Sequence, residues 1–423
     1  MKQIIKKTEL SNGVVVMTDY MPHAYSVAIG AWIPRGSRHE AKDEIGLSHF
    51  YEHLVFKGTE NRTALDIARS VEDRGGNLEA YTTRQETGFY AQVEGGDLNL
   101  ALDVIADMLM NPLFDKKEME KERKVIIEEV HSYDDIPEEI VGDVFNAIHF
   151  RGCGIAHSIT GTVKQVKALT HRQMLAYEEQ VINQLPIYVC AAGKVNHDAL
   201  VEQCVQKFAK KKSGLILPAD SYRANNSVKV VQKQDITQSN LFWGMSFDKS
   251  LMDERARCAL SIFNIAMGAG MASRLFQKIR EDKGLAYSVY STADVYKDCV
   301  DWGVALATDP KQLKFALDLS VRETKNFLRK GFMKDELDRT KANIMGAMHL
   351  GADNPEKRVL RLAEQNLHLG EFHTMDAAEK TVKSLGEEEI IATVNSLFAH
   401  AKFSAAVVEP KSKKKTEIGA DFF

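Results

Sequence analysis

The 423-residue chain lacks any CxxC pair, and its five cysteines (Cys153, Cys190, Cys204, Cys258, Cys299) are odd in number and widely scattered. This argues against a disulfide framework and predicts free thiols in a reducing compartment. No uncharged apolar run approaches the ~20 residues that span a bilayer. The opening MKQIIKKTELSNGVVVM has neither the apolar core nor the small-residue cleavage site of a secretory leader. A large charge of one sign is also missing. The net charge is -4 and the pI near 6.4, so there is no overall attraction for nucleic acid or an anionic membrane. These absences predict a soluble, cytoplasmic protein that binds neither nucleic acid nor membrane.

What is present is a hydrophobic content of 44% in a chain too long for one typical domain, so two or more are expected. Residues 3 to 35 read as two strands, "VVVMTD" and "SVAIGAWI", β-branched and alternating. A helix over "GLSHFYEHLVFKGT" should stop at Gly58. "TALDIARSVEDRGG" opens on a Thr63/Asp66 capping box and ends on Gly75. "LEAYTTRQETGFYAQV" alternates as a strand. Helices are expected near 97–110 and 116–133, the second opened by Asp115 and Glu118.

The same order then recurs. Leu98, Ala101, Leu102 and Asp103 align with Leu313, Ala316, Leu317 and Asp318, and after a three-residue slip Phe114 and Glu118 align with Phe332 and Glu336. A repeat of about 215 residues is too long for a solenoid. It predicts two homologous α+β domains, each a mainly antiparallel sheet with helices packed on it. The expected limits are 1–212 and 228–423, joined by the Gly-, Pro-, Asn- and Ser-rich stretch 213–227. The lysine-rich runs 210–212 and 411–415 read as solvated ends.

Within the first half, His49, Glu52 and His53 recur at helical spacing, so both imidazoles can face one ion with Glu52 beside them. Two neutral imidazoles suit Zn²⁺, with a third protein ligand and a water completing an open tetrahedron. The competing reading is two surface histidines on an amphipathic helix. In "DKKEMEKERKVIIEEV", Glu122 and Glu129 lie two turns apart on the stripe expected to face inward with Val125, whereas Glu128 shares a face with Lys121 and Lys124. Two carboxylates on an apolar-flanked face cost several kcal/mol without a cation, although a salt bridge would also serve Glu122. In the second half the aligned positions are Thr340 and Ala347, and no HxxEH precedes them. Folding therefore does not require these groups. His23, His39, His131, His149 and His157 have no ligand spacing.

His49-Phe-Tyr-Glu52-His53, followed by Glu129 76 residues after His53, resembles the inverted zinc motif of the pitrilysin/insulin-degrading-enzyme family of metallopeptidases. Length and duplication resemble its short branch, which contains mitochondrial processing peptidase and small bacterial homologues. The resemblance implies one Zn²⁺ per chain on His49, His53 and Glu129, with Glu52 as general base and Glu122 as a carboxylate behind the ligands. "SRLFQKIREDKGLAYSVYS" is similar to the family's Arg/Tyr segment, so Arg280 would fix a substrate carbonyl and Tyr287 would donate to the developing oxyanion. Read without the family, Arg280 is a surface ion-pairing residue and Tyr287 a core aromatic.

"LEAYTTRQETGFY" resembles the family's substrate-binding edge strand, with Ala80 and Thr82 at the peptide-pairing places and Glu79 where Asn is usual. Glu79 is expected to favour basic residues in the peptide. The implied function is endopeptidase cleavage of peptides or short unfolded segments in a chamber. Two domains close a chamber only with a partner, so a homodimer is expected, with Arg280 and Tyr287 acting across the interface. The alternatives are a non-catalytic scaffold subunit and the catalytic subunit of a heterodimer.

Overall fold

The structure, a computed structural model, describes residues 3–212, 214, 215, 217, 221–412, 414–419 and 421–423. Part of the expected linker (residues 213, 216 and 218–220) and Lys413 of the C-terminal lysine run lie outside the described residues. The chain divides into two compact units: Met1–His131, His157–Asp220 and Met348–Thr374 form one, and Ser132–Ala156, Ser221–Ala347 and Met375–Phe423 the other.

In the first unit, β1 (Ile4–Glu9), β2 (Val14–Tyr20), β3 (Ser26–Ile33), β4 (Asn77–Thr82), β5 (Thr87–Glu94) and β6 (Ile187–Gly193) build one sheet in the order β1-β2-β6-β3-β5-β4. Every neighbouring pair is antiparallel except β2 and β6. Two elements differ from expectation. Residues 3–35 contain three strands, because the polar segment "IIKKTE" finds a partner in β2. The stretch from Leu78 to Val93 is a hairpin, because Thr83 and Glu86 close a turn (Thr83 N–H to Glu86 O, 2.8 Å) and set Glu79 opposite Tyr90.

The two-residue period of β3 sorts its side chains. Val27, Ile29, Ala31 and Ile33 enter a core shared with α1 (Leu47–Leu54), α2 (Ala64–Glu72), α3 (Leu98–Met110) and α4 (Lys116–Asp134). Ala28 and Trp32 point to the opposite face, where Val359, Leu362 and Ala363 of the Pro355–Glu364 helix cover them.

The second unit repeats this plan with β7 (Ser227–Lys233), β8 (Ser239–Asp248), β9 (Ala286–Val295), β10 (Cys299–Thr308) and β11 (Lys402–Pro410), ordered β7-β11-β8-β10-β9. With β1 set aside the two orders coincide, including one parallel pair at the matching place, β7 with β11. Two α+β domains of one fold are therefore present. The Leu313–Lys330 and Glu336–Ala352 helices repeat α3 and α4.

The packing units are not continuous in sequence, unlike the expected limits of 1–212 and 228–423. Helix α5 (Pro137–His149) packs Val141 and Phe145 with Ala406 and Val408, so it belongs to the second unit. The Pro355–Glu364 helix belongs in turn to the first. At the end of α5, buried His149 lies 2.6 Å from the Ser246 hydroxyl through Nε2 and 3.0 Å from that of Ser404 through Nδ1. Burial, aided by the Lys402 charge, lowers its pKa to about 4 against the pull of a backbone hydrogen bond at Asn225. All five cysteines are free. Among the described residues, no helix is long and apolar enough to cross a membrane.

Candidate metal centre

Helix α1 begins at Gly46, whose φ is 92°, and ends in a tight turn over Val55–Lys57 before Gly58. Leu47, Phe50, Tyr51 and Leu54 fill the core. That leaves His49, Glu52 and His53 on the remaining stripe. The buried stripe of α4 consists of Met119, Glu122, Arg123, Ile126 and Val130. Glu129 sits at its rim. Val125, expected inside, is 52% exposed, because it lies about 40° further round the helix than Glu129. Glu128 is exposed on the outer face, as its neighbours Lys121 and Lys124 indicated.

These two helices bring three donor atoms together. His49 Nε2 and His53 Nε2 are 3.3 Å apart. Glu129 approaches His49 Nε2 to 3.6 Å and His53 Nε2 to 3.5 Å, one carboxylate oxygen to each. A tetrahedral ion with bonds of 2.0–2.1 Å needs donor separations of about 3.3–3.4 Å; the two imidazole nitrogens meet this, and one atom from each of the three residues lies within 4.8 Å of the others. Among the described residues this is the one group of three His, Cys, Asp or Glu side chains arranged to hold an ion.

His53 Nδ1 lies 3.0 Å from Glu122 Oε1, and Lys57 Nζ donates to Glu122 Oε2 at 2.7 Å. Glu122 thus makes both a contact to His53 and a salt bridge to Lys57. It directs the His53 proton to Nδ1 and leaves Nε2 as a donor for metal. His49 has no such support, since its Nδ1 is buried without a hydrogen-bond partner.

The electrostatics follow from this crowding. Burial disfavours a charged His53, but hydrogen bonds to Glu122 and Glu129 and the charges of Glu52 and Glu129 outweigh it, raising the pKa to about 9. Hydrogen bonds from His49 and His53 hold the Glu129 carboxyl far below the usual range despite burial. Burial pushes Glu122 up, and His53 and Lys57 more than reverse it. Three carboxylates around His53 thus favour positive charge here, which a bound cation would also supply.

Glu52 shares a face of α1 with the two histidines. Its carboxylate accepts the Thr82 hydroxyl at 2.5 Å, which links α1 to the end of β4, the outermost strand of the sheet. Ala80 packs against the core on the same face as Thr82. Glu79 points the other way, exposed, and accepts from the Tyr90 hydroxyl at 2.6 Å and from Asn77 Nδ2 at 3.0 Å.

Arg280 and Tyr287 lie together in the second unit. The guanidinium stacks 5.0 Å from the Tyr287 ring and 4.7 Å from that of Phe276, with Glu281 at 3.7 Å. Tyr287 sits on β9, the outermost strand of its sheet, and is 78% exposed. It is not a core aromatic.

At the aligned positions of the second unit, Thr340 donates to the Glu336 carbonyl at 2.8 Å and Ala347 is exposed. Sequence reasoning missed Lys57, which holds Glu122. Lys57 follows His53 by four positions, a spacing that would have revealed it.

Comparison with known proteins gives a consistent picture. The profile described as insulinase (peptidase family M16) matches residues 15–163, and that described as peptidase M16 inactive domain matches residues 168–344. A protein of Mycobacterium bovis named an uncharacterized zinc protease is 30% identical over 416 residues, 97% of this chain and 94% of that protein. One of Bacillus subtilis with the same description is 31% identical over 414 residues, 96% of this chain and 98% of that protein. Among solved structures, a protease from Helicobacter pylori superposes with a TM-score of 0.89 at 18% identity, covering 96% of this chain and all of that one.

Proposed function

From the chain's membership in the insulinase family, peptidase family M16, we propose that it is a zinc endopeptidase acting on peptides or short unfolded segments. The observation that carries this reading is the convergence of His49, His53 and Glu129, whose imidazole Nε2 atoms are 3.3 Å apart and whose carboxylate oxygens lie 3.5 and 3.6 Å from them, one to each. These residues hold one Zn²⁺ per chain. When bound, the ion supplies Lewis acidity and lowers the pKa of water.

Glu52 takes the proton from the attacking water and returns it to the leaving amine. Thr82 keeps its carboxylate turned toward the sheet edge. The substrate adds as a further strand along β4, pairing through the backbone of Ala80 and Thr82. Glu79, exposed on the opposite face, favours basic residues at alternate positions of the peptide. Arg280 fixes a substrate carbonyl and Tyr287 donates to the developing oxyanion. They are contributed by the second copy of a homodimer whose closed chamber limits substrate size. The compartment is the cytoplasm.

Metal analysis combined with hydrolysis of an internally quenched peptide tests this. One zinc per chain and cleavage abolished by a chelator and restored by Zn²⁺ support it. Stoichiometric zinc without cleavage supports a scaffold role, and cleavage only with a second, different chain supports a heterodimer.

A further inference from the structure

Helix α1 carries two proposed metal ligands and the proposed base in only eight residues, Leu47–Leu54, yet its N-cap Gly46 offers no side chain to its first amides. The reason is local. At φ 92° an L side chain is strained, and a Cβ on Gly46 would come within 2.6 Å of the Thr160 carbonyl oxygen. A Ser, Thr or Asp cap is therefore excluded.

Glu40, six residues upstream and only 4% exposed, takes over the task. One of its oxygens accepts Gly46 N–H at 2.8 Å and the other accepts Ser48 N–H at 2.7 Å. Burial raises the Glu40 pKa to about 7 against the pull of these hydrogen bonds and of Arg35, and both oxygens accept from amides that the helix leaves without partners.

The two histidines differ in how they are held. Glu122 steadies the His53 ring, whereas buried His49 Nδ1 has no partner. The place of His49 Nε2 therefore depends on the backbone of the first helical turn, and Ser48, its immediate neighbour, is where Glu40 grips that turn. We propose that Glu40 is a positioning residue of the metal centre, substituting for the missing carboxylate behind His49 by fixing the first turn of α1. This rests on the zinc reading above.

The test compares Zn²⁺ affinity, by competition with a chromophoric chelator, for wild type, Glu40→Ala and Glu40→Gln. Amide hydrogen exchange of the metal-free proteins is measured in parallel. Glu40→Ala is expected to weaken zinc binding by about 10–100-fold, as loss of a partner behind a ligand does. Glu40→Gln keeps one acceptor oxygen and is expected to fall between it and wild type, at threefold or more. Amides of Ser48 and His49 should exchange faster in both variants, with those of β3 unchanged.

A folded Glu40→Ala protein with wild-type zinc affinity overturns the proposal. If that variant does not fold, wild-type affinity in Glu40→Gln does so. A wild-type protein that binds no zinc sinks the metal reading instead. The exchange arm still decides the positioning role, because unchanged protection at Ser48 and His49 overturns it.

Discussion

The Thr82 hydroxyl donates to the Glu52 carboxylate across 2.5 Å, tying the last residue of a sheet-edge strand to the middle of a helix. The bond holds the Glu52 carboxylate against the end of β4, the strand on which a peptide is proposed to pair. Glu52→Gln is expected to lower kcat by about 10²–10⁴-fold with zinc content unchanged. Thr82→Val removes a hydrogen bond to a charged group worth ~1.5 kcal/mol and should cost about tenfold in kcat. Peptide hydrolysis with metal analysis on the same samples checks both, and loss of zinc in Glu52→Gln would contradict the assigned role.

Behind the proposed ligands, Glu122→Gln should weaken zinc binding by about 10–100-fold. Lys57→Met should weaken it less, because the Glu122 contact to His53 remains. The pH dependence has a definite sign. The His53 pKa is raised to about 9, so below that pH the metal-free protein holds a proton that zinc must displace. Affinity should climb as pH rises from 6 towards 9 and flatten above. Chelator competition across this range measures it.

His149 makes a second pH prediction, remote from metal. Its pKa falls to about 4 in the folded protein against about 6.5 in an unfolded chain. The folded state is favoured by a neutral imidazole, so this contribution is complete above pH 6.5 and drains away as pH drops to 4. The loss amounts to ~3 kcal/mol. Denaturant titrations at pH 7 and 4.5 should show a smaller pH effect in His149→Gln than in wild type, whatever the variant's absolute stability.

A shared active site would show itself by complementation. After subunit exchange, an equal mixture of Glu52→Gln and Tyr287→Phe proteins should recover about one quarter of wild-type sites, since half the dimers are mixed and each has one intact site. If Tyr287 acts within its own chain, mixing restores nothing.

Much of the site could be read in the sequence, because helical spacing is a local rule. His49, Glu52 and His53 declare their shared face by number alone, and Glu122 and Glu129 do so on a second helix. The duplication was legible because its apolar pattern and capping residues recur in order. Val125 was misjudged because a helix stripe has a rim, and one position beyond it reaches solvent. The hairpin from Leu78 to Val93 was hidden because Thr83 to Glu86 lacks the Gly or Pro that punctuates most turns. Nor does periodicity say which sheet a helix will cover: α5 and the Pro355–Glu364 helix have ordinary amphipathic faces, and long-range packing alone allots them.

That allotment has a consequence for how such a chain can be divided. The face carrying Trp32 and Tyr90 is sealed by Val359, Leu362 and Ala363, which the ribosome supplies long after β3. A fragment ending at the central connection would leave an oily surface bare, and the remainder would lack α5 from its own core. Each half of the duplication lends a segment to the packing unit of the other, so a cut at the midpoint strips both cores at once.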